Sequence, residues 1–187
     1  MKTIQTKIYS YSELSPVAQE RVVEKISDRI ANDPDDFTLS ESLGSLKAVA
    51  GALGLRLTGW SIGAHNRNNF AKVNSDEAGN KAIAKFVRCL IRHGYTRKKT
   101  FRAMLEKGTG SFVGVCGFTG VCFDENVCET ILEALLDGEN FSKAFSRAAD
   151  EIGRICEEDL EYRTGKESIL EYLDTAEEIY DADGNEV

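Results

Sequence analysis

Apolar residues return at intervals of three and four through most of this chain, and that period limits what it can fold into. A stripe so spaced covers one side of a helix and leaves the other side to water. Leu14, Val17, Ala18, Val22, Ile26 and Ile30 keep the spacing after Ser15 and Pro16, a cap and a first-turn residue. Pro34 ends that helix, because proline disfavours helix in the residue before it. Leu43, Leu46, Val49, Ala50 and Leu53 mark a second helix over about 39–53, stopped by Gly54. A third runs from Asp76 to His93, with Ile83, Phe86, Val87 and Leu90 inward. Val127, Ile131 and Leu135 place a fourth between Asp124, as its cap, and Leu136. Phe141, Phe145, Ala148, Ile152 and Ile155 carry a fifth to about Leu160, and a short one covers Ser168–Leu173.

Strand signals are few. Thr3–Tyr9 alternates, as does Leu55–Ile62, and Phe70–Val73 returns after a polar turn to pair with the latter. The expected fold is α+β: a mostly helical single domain over 1–187 with a small antiparallel sheet. Its acidic end, 175–187, reads either as a last strand or as a frayed, mobile tail. With 42% hydrophobic residues the chain can bury one sizeable core. No apolar run approaches the roughly 18 residues of a membrane span. The first residues, Met1–Thr6, lack a signal-peptide apolar region, so a reducing cytoplasm is expected. Five cysteines, an odd number, suit free thiols or metal ligands better than disulfides.

Four residues of metal-ligating types are spaced suggestively. Cys89 and His93 stand four apart at the end of the third helix and so share a face. Cys116 and Cys122 bracket a glycine-rich segment free to bend back toward them. A closed Cys3His set suits structural Zn2+. The same cysteines, with Cys128 and Cys156, also read as small buried apolar residues. No P-loop, GxGxxG, HExxH or nucleophile elbow is present.

Charge is divided unevenly. Residues 1–107 carry 18 Lys+Arg against 11 Asp+Glu, and 108–187 carry 5 against 20. Lys81, Lys85, Arg88 and Arg92 align on the third helix as a basic ridge, continued by Arg97, Lys98, Lys99 and Arg102. Such a ridge is either a solvated face or a contact for phosphates. Glu157, Glu158, Asp159 and Glu161 form a carboxylate run that can imitate phosphate spacing along a helix.

Three blocks, Tyr9–Ala18, Leu55–Gly63 and Cys116–Asp124, resemble in sequence and order a group of small phage and prophage accessory proteins. That class includes anti-CRISPR proteins that inhibit Cas9. Within the resemblance, Cys116 and Cys122 match the group's paired cysteines; Cys89 and His93 come from helix spacing alone. The resemblance implies an inhibitor in the bacterial host cytoplasm that binds Cas9 or another defence protein and blocks target DNA binding. The charge layout makes the acidic half the expected binding face, and with no catalytic constellation in the sequence a non-enzymatic role is expected. The alternative is a nucleic-acid-binding accessory protein using the basic segment 81–102.

Overall fold

A computed structural model describes residues 7–33, 37–95, 117–119 and 123–187. It holds a mostly helical α+β fold: six α-helices and one two-stranded antiparallel sheet among those residues. The chain gathers into two compact units, one from the stretches 1–35 and 158–187 and the other from 36–157. No described helix is long and apolar enough to cross a membrane.

The smaller unit joins the two ends of the sequence. Helix α1, Pro16–Ala31, starts where the Ser15 hydroxyl accepts the Ala18 N–H at 3.3 Å, with Pro16 in the first turn. Its residues Ala18, Val22 and Ile26, preceded by Leu14, bury against Ile169, Leu173 and Tyr180. The strand expected at Thr3–Tyr9 lies mostly outside the described residues. Its last member, Tyr9, makes an isolated antiparallel bridge with Tyr180, exchanging N–H···O bonds of 2.8 and 2.9 Å.

The acidic end bonds back onto this unit. Tyr180 also bridges Glu186, and the Asp181 carboxylate accepts the Asp183 and Asn185 N–H groups, each at 2.9 Å. Lys25 donates to the Gly184 carbonyl at 3.2 Å. Gly184 sits at φ +77°, and a Cβ there would lie 2.8 Å from the Ala18 carbonyl oxygen. Only glycine satisfies both conditions.

The larger unit has its own core. Helix α2, Phe37–Ala52, presents Leu46, Val49 and Ala50 inward, followed by Leu53. Its buried face also holds Thr38, Ser42 and Ser45, while Leu43 is only half-buried, so the helix is turned from the all-apolar stripe expected. Strands β1, Leu57–Ser61, and β2, Phe70–Val73, pair with Trp60 opposite Ala71 and a bulge between Leu57 and Gly59. Helix α3, Gly79–Arg92, buries Ala82, Phe86, Val87, Cys89 and Leu90. Helix α4, Phe123–Leu136, packs on α2 and α3.

Helix α5, Phe141–Thr164, begins where the Phe141 N–H bonds the Glu77 carbonyl at 3.0 Å. It continues four residues beyond the expected end, and its last turns belong to the smaller unit. Helix α6, Lys166–Thr175, adds one turn to the short helix expected there. Gly153 of α5 leaves room for Asn69, whose side-chain oxygen accepts the Gly63 N–H at 3.0 Å and so closes the hairpin loop.

Replacing Gly184 by alanine should lower unfolding free energy by about 1–3 kcal/mol, from strain at a left-handed position and the crowded Ala18 carbonyl. Urea denaturation of the two proteins measures it. An unchanged midpoint would show that the end of the chain is not held against α1.

Candidate functional site

The proposed metal ligands divide between described and undescribed residues. Cys89 lies on the inner face of α3, 4% exposed, and His93 caps the same helix one turn later. Cys116 and Cys122 fall outside the described residues. Among the described residues, no group of three or more His, Cys, Asp or Glu is placed to hold a metal. Burial pushes the Cys89 thiol above its ordinary pKa, only partly offset by Arg92 and Lys85. Burial raises Cys128 further, aided by the nearby Asp124 charge. The His93 ring stacks on Phe118 at 4.5 Å between centroids, and Tyr95 stacks there at 5.0 Å.

A polar knot that spacing did not reveal organises this region. Asp124 is wholly buried in the first turn of α4. Its carboxylate accepts the Phe118 N–H at 3.0 Å, the Thr119 N–H at 2.8 Å and the Thr119 hydroxyl at 2.9 Å. Ser45 and Tyr95 also donate to it. The Tyr95 hydroxyl in turn accepts the Gly117 N–H at 2.8 Å. Asp124 was expected to cap its own helix; it binds the segment before the helix instead. Burial alone would raise its pKa, but the bonds from Thr119, Ser45 and Tyr95 outweigh that and hold the carboxyl below its ordinary value. Tyr95 moves the opposite way, raised by burial and by its bond to Asp124.

Gly117 permits the close approach. A Cβ at that position would collide with the His93 carbonyl oxygen and stand 3.0 Å from the Tyr95 ring. This glycine is needed for its missing side chain. Ser42, fully buried on α2, has a hydroxyl without a hydrogen-bond partner among the described residues.

The basic ridge forms on α3 but is partly neutralised. Glu77, just before the helix, lies 3.0 Å from Lys81 and 3.8 Å from Lys85. Its pKa is lowered, chiefly by the Lys81 hydrogen bond. Arg88 and Arg92 are exposed and make no ion pair among the described residues. Arg97, Lys98, Lys99 and Arg102 lie outside those residues.

The carboxylate run occupies the last turns of α5. Glu157, Glu158 and Glu161 are exposed, while Asp159 accepts from Arg163 at 2.8 Å. The stretches forming the smaller unit carry 7 Lys+Arg against 17 Asp+Glu, a net −10; the larger carries 16 against 14, a net +2. Charge therefore divides by structural unit in the same sense as along the sequence but less sharply, since 1–107 is net +7 and 108–187 net −15.

No protein-family model matches this chain, and no curated protein or solved structure shows significant similarity to it.

The Asp124 knot makes stability depend on acid. A carboxyl whose folded pKa is depressed stabilises above its unfolded value of about 4 and ceases to as pH falls through the folded value. Asp124→Asn should be less stable than the natural protein at neutral pH by about 1–3 kcal/mol. Urea melts should show the gap narrowing below about pH 4. A gap constant with pH would show that the carboxylate charge contributes nothing.

Proposed function

We propose that the protein works by binding, as an inhibitor of the anti-CRISPR kind. Its acidic unit would cover the positively charged channel in which Cas9 holds nucleic acid, and so block target DNA binding inside the bacterial host cell. The observation that carries this reading is the concentration of negative charge, net −10, in one compact unit. Glu158 and Glu161, with Glu157 immediately before them, stand exposed along a helix, where successive carboxylates can follow a row of phosphate sites. Complementary charge of this kind speeds encounter and sets orientation.

Size-exclusion chromatography of the protein with guide-loaded Cas9 should yield a stable complex that no longer binds target DNA. Charge reversal at Glu157, Glu158 and Glu161 together should weaken it about tenfold or more and reduce its salt dependence. No complex at low salt would sink the proposal.

A structural Zn2+ held by Cys89, His93, Cys116 and Cys122 belongs to the same reading. Cys89 and His93 lie one helical turn apart, and Gly117, next in sequence to Cys116, abuts the His93 carbonyl. Protein purified without added metal should contain about one zinc per chain, and Cys116→Ser should lose it with a marked drop in thermal stability. Zinc-free protein of full stability would refute the site.

A second reading has one specific observation behind it. Arg88 and Arg92 leave an exposed cationic end on α3 that could bind nucleic acid. Gel shifts with Arg88→Glu and Arg92→Glu separate the two readings, since reversing these charges should abolish nucleic-acid binding and leave a Cas9 complex intact.

A further inference from the structure

Among the described residues, the acidic unit also exposes more large hydrophobic side chains than the larger unit does. Of nine large hydrophobic side chains exposed among the described residues, six belong to it: Ile8, Val17, Tyr162, Tyr172, Ile179 and Val187. Beside Tyr172 lies a half-open pocket of about 310 Å³, formed by the end of α1, the end of α5 and the start of α6. Ile26, Ile30 and Ile169 line its apolar part, and Arg29, Arg163 and Tyr172 stand among its polar residues.

The two guanidinium groups are already matched to carboxylates. Arg163 donates to Asp159 at 2.8 Å, and Arg29 lies 3.6 Å from Glu178 and 3.6 Å from Glu186. Glu178 is itself held by the Tyr172 hydroxyl at 2.6 Å and the Tyr180 hydroxyl at 2.5 Å. An anionic ligand would have to displace these carboxylates inside a unit of net −10, against both pairing and field. An uncharged side chain meets no such opposition, and cations around it are attracted by the same field. The volume is at the lower end of ligand-sized cavities, enough for one large side chain rather than an extended molecule. Aromatic and aliphatic anchors seated in such pockets, ringed by polar contacts, dominate protein interfaces.

We propose that this pocket receives a single protruding aromatic or aliphatic side chain from a protein whose surrounding surface is basic. The proposal rests on the reading of the acidic unit as the binding face and adds the apolar contact that orients it. Charge alone would hold a basic partner in many poses; a filled pocket selects one.

Three short peptides test it against the full chain by fluorescence anisotropy: lysine-rich with one tryptophan, lysine-rich with serine in its place, and glutamate-rich with the tryptophan. The first should bind about tenfold or more tightly than either of the others. Ser168→Phe, which fills the pocket from its own wall, and Tyr172→Ala, which removes an exposed lining residue, should each erase that preference while circular dichroism stays unchanged. If Ser168→Phe fails to fold, Tyr172→Ala alone decides. Equal binding of the two lysine-rich peptides, or variants that bind like the natural protein, would overturn the proposal. So would a concentration-dependent dimer abolished by Ser168→Phe, which would assign the pocket to a second copy of this chain. Guide-loaded Cas9 is assayed alongside. Selective peptide binding without a Cas9 complex supports the pocket and rejects that partner. A Cas9 complex that both variants form unchanged rejects the pocket and leaves the partner standing.

Discussion

The larger unit depends on a charge that water cannot reach. Asp124 is fully buried, and an uncompensated carboxylate there would cost several kcal/mol. Its compensation comes from parts of the chain far apart in sequence: Ser45 on α2, Tyr95 just beyond α3, and Phe118 and Thr119 before α4. Each donor fixes its own segment relative to α4, so the knot sets the geometry of three helices at once. Tyr95 serves twice, giving its proton to Asp124 and accepting the Gly117 N–H. Gly117 can come that close only because it has no Cβ. Networks of this kind stabilise when complete and are costly when one member is removed.

The smaller unit follows a different principle. Its core is a ladder of residues four apart on α1, covered by Ile169, Leu173 and Tyr180 from the other end of the sequence. The Tyr9–Tyr180 bridge joins the two ends by backbone hydrogen bonds. Bringing these segments together also collects charge, because the C-terminal stretch is carboxylate-rich and α1 supplies few compensating cations. Arg29 is placed among three of the unit's features: it faces Glu178 and Glu186 and lines the isoleucine pocket. The result, among the described residues, is a surface both negative and locally apolar.

Much of the architecture was legible in the residues themselves. The helical period at Val22 and Ile26, at Phe86 and Leu90, and at Phe145 and Ile152 located α1, α3 and α5, because those stripes had to be buried whatever covered them. Ser15 and Pro16 marked the start of α1, and alternation at 55–62 and 70–73 marked the hairpin. The basic ridge was legible too, since it follows from helix geometry alone. The pairing of Glu77 with Lys81, four residues on, is also a helix spacing; what the structure changed is the helix start, at Gly79 rather than Asp76, so that Glu77 reaches Lys81 and Lys85 from the junction before the helix.

The sequence by itself therefore determined which stretches become helix or strand and which side of each turns inward, because those follow from local period and capping. Even that had limits: Val17 of the expected α1 stripe is exposed, and at α2 Ser42 and Ser45 are buried while Leu43 is only half-buried, since hydroxyls carry no periodic apolar signal. Tertiary structure alone decided the role of Asp124, which sequence presents as an ordinary helix cap. It likewise decided the grouping of the chain's two ends into one acidic unit and the assembly of the pocket beside Tyr172. Each of these involves partners more than about 20 residues away, Ser45 and Tyr95 in the case of Asp124, and no local preference encodes which distant donors or side chains will meet.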